Sequence, residues 1–123
     1  MLSLMAKHDS QLDLLFTALG DPTRRAILAR LARGEATVTE LAEPHAMALP
    51  SFLKHLHKLE AAGLVTSVKE GRIRSCALAP EAFAPVQDWL GEQRTIWEGR
   101  LNRLDDYVGQ LMRMKENGSR SKD

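Results

Sequence analysis

The apolar positions of this chain follow a helical spacing over most of its length and a strand-like spacing in one short stretch. Leu12, Leu15, Phe16 and Leu19 recur three and four residues apart, as one face of a helix does. Asp9 or Ser10 is placed to cap that helix and Gly20 to end it, so residues 1–8 are expected to be loose. Asp21-Pro22 opens a second helix, with Asp21 as N-cap and Pro22 at the first helical position, where a missing N–H costs little. Ala26, Ile27, Leu28 and Leu31 form its inward face, and Gly34 is expected to close it. Thr37 and Glu40 have the spacing of a capping box, and Leu41 and Ala42 supply a short apolar face behind them. Pro44 ends that third helix, because the residue before a proline is pushed out of the α region. After a turn at Met47-Ala48, Pro50 falls in the first turn of a fourth helix. Phe52, Leu56 and Leu59 are its buried stripe, and Gly63 is expected as a left-handed cap.

Residues 64–78 change period to two. Leu64, Val68, Ile73 and Leu78 are apolar members of the run, and Glu70-Gly71, between Lys69 and Arg72, reads as a tight hairpin turn. Ala79-Pro80 breaks the strand, residues 81–84 fit a short helical turn, and Pro85 is expected to start a last helix reaching about Met114. At 1.5 Å per residue that helix is about 45 Å long, more than a domain of this size needs for its own core. Leu90, Trp97, Leu104 and Leu111 recur every seven residues along it, and Trp89, Leu101, Val108 and Met112 widen the stripe. A heptad stripe with two tryptophans suits packing between two chains. Leu12, Leu15 and Phe16 of the first helix are expected to join that interface. The fold class expected is mainly α with a β-hairpin wing: a winged helix-turn-helix, dimeric through its terminal helices. Residues 9–114 make the domain, 85–114 its dimerisation helix, and the polar stretch 115–123 a disordered tail.

Composition adds placement of charge. The chain has 123 residues and a net charge of +1, an unpromising total for a nucleic-acid partner. Residues 49–78, however, hold five Lys or Arg against two Glu, so positive charge is concentrated on the fourth helix and the hairpin. Ser51, Lys54, His55 and Lys58 lie opposite the buried stripe of the fourth helix, and Lys69, Arg72 and Arg74 sit near the hairpin tip. Helix, turn, helix and basic wing in that order point to a DNA groove: Lys54, Lys58 and the wing bases toward phosphate, Ser51 and His55 toward base edges. Arg24 and Arg25 stand in the first turn of the second helix, against the sign its dipole prefers. Two roles suit them, salt bridges to Asp21 or another acid, or a phosphate contact at the edge of the footprint.

Three stretches resemble the ArsR-type winged-helix repressors: LGDPTRRAILARLARGEATVTELAE (19–43), LPSFLKHLHKLEAAGLV (49–65) and GRIRSCAL (71–78). The resemblance implies a homodimeric bacterial transcription regulator. Within it, metal-sensing members carry a cysteine pair in the first helix of the helix-turn-helix, where this chain has ELAEP (40–44) and no thiol. Other members place Asp and His ligands on the last helix, which here offers Glu98, Asp105 and Asp106 but no histidine. Leu53 replaces a small hydroxyl residue common before the KHL run, and Ala48 replaces a Ser or Thr cap, so Ser51 is the hydroxyl left for base contact.

Other chemistry is sparse. Cys76 is the one cysteine, and four histidines (His8, His45, His55, His57) form no spaced metal motif. There is no phosphate loop and no paired-carboxylate site, so neither an enzyme nor a cofactor or metal is expected. The lone cysteine and the absence of a long apolar run or secretory signal point to the cytoplasm. The reading is a sequence-specific DNA-binding regulator, a repressor acting as a homodimer on a palindromic operator and occluding a promoter. The alternatives are a winged-helix module that binds another protein, or a ligand- or metal-responsive repressor with a non-standard sensor site.

Overall fold

The computed structural model describes the backbone of residues 2–120 and the side chains of residues 10–117. Helix α1 spans Leu2–Leu19, α2 Pro22–Leu31 and α3 Val38–Ala42. Strand β1, Ala36–Thr37, lies between α2 and α3. Helix α4, Leu49–Ala61, is followed by β2 (Val65–Glu70) and β3 (Ile73–Leu78). A single 3₁₀ turn at Pro80–Phe83 leads into α5, Ala84–Arg120. The chain forms two units, residues 1–87 and 88–123, and the described residues of the second all belong to α5. The start expected at Asp9 or Ser10 is too late, since α1 already begins at Leu2, and α5 passes the expected end near Met114 to reach Arg120. Residues 121–123 of the expected tail lie outside the described residues.

The core of the first unit is made by the stripes already visible in the sequence. Leu15, Ala18, Ile27, Leu28, Leu31, Leu41, Phe52, Leu56, Leu59 and Leu64 are buried together. Leu15 was expected at the dimer interface. It is instead 0% exposed within its own chain, so it is a core residue, and Leu12 also packs against that core. Phe16, on the adjacent position of the α1 turn, is 39% exposed.

Helix ends are held by local devices. Thr37 Oγ1 accepts from the Glu40 N–H at 3.1 Å, which caps α3. The reciprocal half of the capping box is not made, because the Glu40 carboxylate faces Arg30 at 3.5 Å. Ala48 gives α4 no side-chain cap. At the other end of α4, Gly63 has φ +77°, its N–H donates to the Glu60 carbonyl at 2.9 Å, and the Leu64 N–H donates to the Leu59 carbonyl at 3.0 Å. That pair of bonds is a Schellman cap, and it turns the chain from α4 directly into the wing.

The hairpin register differs by one residue from the expected turn. Glu70 pairs with Ile73, so Gly71-Arg72 is the two-residue loop, with Gly71 at φ +63°. Positive φ at the first loop position suits the right-handed twist of the strands, and glycine meets it without a Cβ clash. The register also places Val68 and Ile73 on the outer face, 60% and 59% exposed, while Val65 and Cys76 face the core. Residues five apart in an unbroken alternation fall on opposite faces, but the two-residue loop between these two shifts the parity and leaves both on the outer face. A third strand joins the sheet, which runs β1-β3-β2, with Ala36 opposite Cys76 and Thr37 opposite Ser75. Two residues are too few to show a period, so this strand left no pattern to read.

Candidate nucleic-acid interface

Helix α4 buries Phe52, Leu56 and Leu59 and so turns the opposite positions to solvent. Ser51, Lys54 and Lys58 are exposed on that side, and at the wing Lys69 and Arg72 are exposed as well. Lys69 lies on β2 across from Arg74, and Arg72 occupies the hairpin loop. Five of the seven residues singled out from the sequence are therefore open to an anionic partner. Arg74 is committed inside the chain, and half-buried His55 is held there through one of its two ring nitrogens.

Arg74 Nη2 stands 2.9 Å from both carboxylate oxygens of Glu60. The same carboxylate accepts from Ser67 Oγ at 2.6 Å. One acid on α4 thus binds one residue from each strand of the wing. Charge-assisted bonds of this geometry are short and directional, and they hold the wing at a set angle to α4. The place given to Arg74 as a free phosphate contact is corrected accordingly: its guanidinium anchors the wing. Removing the pair from the charge count takes away one charge of each sign, so the +3 of residues 49–78 still resides on Lys54, Lys58, Lys69 and Arg72 against Glu70. Glu60 had no signal of its own in the sequence, since its partners lie seven and fourteen residues away.

Arg24 and Arg25 are explained by neither role weighed for them. Arg24 is 6% exposed, and its Nε and Nη2 donate to the carbonyls of Ala18 and Thr17, both at 2.8 Å. Arg25 Nη1 donates to the Leu19 carbonyl at 2.8 Å. Together they bond the last carbonyls of α1, where positive charge is also favoured; that of Thr17 accepts from the Gly20 N–H as well. The third arm of Arg24, Nη1, lies 3.0 Å from His55 Nδ1. Asp21 Oδ2 accepts from the Arg24 backbone N–H at 3.0 Å and lies 3.6 Å from the same imidazole nitrogen. The bond from that backbone N–H, with the Arg24 guanidinium nearby, holds the Asp21 carboxyl below its ordinary value. The DPTRR stretch is thus a joint between α1, α2 and α4.

Cys76 is buried, its Sγ 3.9 Å from Ser67 Oγ, and desolvation pushes the thiol above its ordinary value. A thiol kept protonated in this way is a poor nucleophile and a poor ligand. Among the described residues no three His, Cys, Asp or Glu side chains stand together as a metal site. No helix among them is long and apolar enough to cross a membrane.

On α5 the heptad stripe is laid out on a single unit. Trp97, Leu101, Leu104, Val108 and Leu111 are 58%, 40%, 56%, 45% and 46% exposed, and Trp89 and Leu90 are 41% and 51%. Such a run of large apolar side chains at alternating spacings of four and three is the layout of a coiled-coil seam.

Comparison with known proteins bears on this geometry. Residues 19–68 match a family described as a helix-turn-helix domain, covering α2, α3, α4 and the start of the wing. The chain is 30% identical to the transcriptional repressor SdpR of Bacillus subtilis over 76 residues, 62% of this chain and 84% of that one. The crystal structure of the ArsR family transcriptional regulator RHA00566 is 56% identical, with TM-score 0.71, over 73% of this chain and 93% of that one. The solution structure of the homodimeric winged helix-turn-helix DNA-binding domain Mb0332 from Mycobacterium bovis is 26% identical, with TM-score 0.59, over 75% of this chain and 87% of that one.

Proposed function

The chain belongs to the ArsR family of winged helix-turn-helix transcriptional regulators, and on that premise we propose that it is a repressor that grips its operator with α4 and the wing. The observation that carries this reading is the exposed face of Ser51, Lys54 and Lys58 on α4, with Lys69 and Arg72 beside it on a wing tied to the same helix through Glu60. The N-terminal half of α4 enters the major groove, where Ser51 meets base edges. Lys54, Lys58, Lys69 and Arg72 meet phosphates and supply the salt-dependent part of the affinity. Repression is by occlusion of a promoter in the cytoplasm, with no catalytic step.

The active species is a homodimer through the α5 stripe, as the exposed heptad seam and the dimeric relative support. Two copies of α4 then enter successive major grooves about 34–36 Å apart, so the operator is a palindrome with half-sites one helical turn apart. Gel shift of genomic fragments, starting with the region upstream of the chain's own gene, with footprinting of the fragment retained, tests this. A protected palindrome is the expected result. Binding only at the non-specific level, about 10⁻⁴–10⁻⁶ M, would favour a module that binds another protein.

A further inference from the structure

Resting on that DNA-binding reading, we infer that Arg24 is a positioning residue that sets the tautomer of His55, so that the recognition helix presents an outward Nε2–H donor to a hydrogen-bond acceptor on the duplex. A guanidinium has only donors. Nη1 of Arg24 lies 3.0 Å from His55 Nδ1, so Nδ1 must offer a lone pair, and the ring proton resides on Nε2. A proton on Nδ1 would set two N–H groups against each other. Among the described residues, Asp21 Oδ2 is the one acceptor near Nδ1 that would favour such a proton. It stands farther off, at 3.6 Å, and already accepts from the Arg24 backbone.

Arg24 is itself held firmly enough to impose this choice. Its other two arms are bonded to the Thr17 and Ala18 carbonyls, and it is nearly buried. The imidazole is therefore fixed from behind. Its Nε2 has no partner among the described residues, and no buried side-chain nitrogen or oxygen among them lacks one, so Nε2 is open to solvent. His55 lies four residues after Ser51 and three before Lys58, on the same side of α4. The donor thus emerges between a proposed base contact and a proposed phosphate contact. Its partner is an acceptor, either a purine N7 or carbonyl oxygen in the major groove or a phosphate oxygen.

Two substitutions separate the halves of the ring. His55→Asn puts an amide oxygen near the position of Nδ1, keeps a partner for Arg24 and removes the outward donor. His55→Gln reaches toward the position of Nε2 and restores an N–H there. The Asn variant should keep the unfolding midpoint of the native chain and lose about tenfold in operator affinity, the worth of one well-placed hydrogen bond. The Gln variant should recover most of that loss. Nitrogen-15 NMR of the free native chain should show His55 protonated on Nε2, and Arg24→Lys should mix the tautomers. Placing 7-deazapurines or methylphosphonates one at a time in the operator identifies the acceptor as the substitution that makes native and Asn chains bind alike. A native His55 protonated on Nδ1, or an Asn variant that binds the operator as the native chain does, overturns the inference. A native chain that selects no fragment overturns instead the function on which it rests.

Discussion

Asp21 does two jobs with one carboxylate, capping α2 and facing the Arg24–His55 pair. Its folded value lies below the ordinary 3.8, so its stabilisation is present above that value and is lost as pH falls through the lower, folded one. Asn caps a helix as well as Asp does. Asp21→Asn should therefore show a deficit near neutral pH that shrinks toward zero in acid, measured by urea midpoints across the acid range. A deficit independent of pH would mean that the charge contributes nothing. The wing residues divide by partner in the same way. Arg72→Ala should lower the slope of log affinity against log salt by about one, as loss of one phosphate contact does. Arg74→Ala should leave the slope nearly unchanged and weaken binding by freeing the wing from Glu60, since Arg74 serves the protein rather than the DNA. Equal slope changes for the two would show that both touch phosphate.

At the scale of elements, the angle between recognition helix and wing is set at two places, the Glu60 cluster and the Schellman turn at Gly63. Gly63 has φ +77°, where a side chain costs about 1–2 kcal/mol. Gly63→Ala should lose about that much stability in urea unfolding, with open space around the new methyl. Because the turn aims the wing, DNA affinity should fall further than stability alone requires at a temperature where the chain is still folded. A variant that binds DNA normally would show that the Glu60 cluster alone holds the wing. Helix α3 and β1 are too short to stand by themselves, and their place comes from Thr37, which ends the strand and caps the helix at once.

For the whole molecule the decisive element is the seam on α5. Trp97 and Leu104 are one heptad apart, and truncating a packed Trp costs about 3–5 kcal/mol. Each occurs twice in a symmetric dimer, so the loss is doubled per assembly. Trp97→Ala with Leu104→Ala should yield monomers by sedimentation while the first unit keeps its helical core, since neither residue is a member of it. Affinity for a two-half-site operator should fall far more than affinity for a single half-site, although no charge is removed. A double variant that stays dimeric would place the interface elsewhere.

The residues by themselves determined much of this protein. Capping residues, prolines and apolar spacing are local, and they marked α2, α3, α4, the hairpin and the long last helix. Those elements then placed Ser51, Lys54, Lys58, Lys69 and Arg72 on the exposed side. What tertiary structure decided is which polar groups are bonded within the chain. Arg24, His55, Glu60 and Arg74 look in the sequence like any other polar residues of a basic region. Their partners are six to thirty-one residues away on other elements, and no periodicity links them. Leu15 was misplaced for a related reason: a helix stripe shows which residues seek burial but not which surface covers them, and α1 turns that position into its own core. Spacing along one element is a local property, while the pairing of charges and faces between elements exists only once the chain has closed on itself.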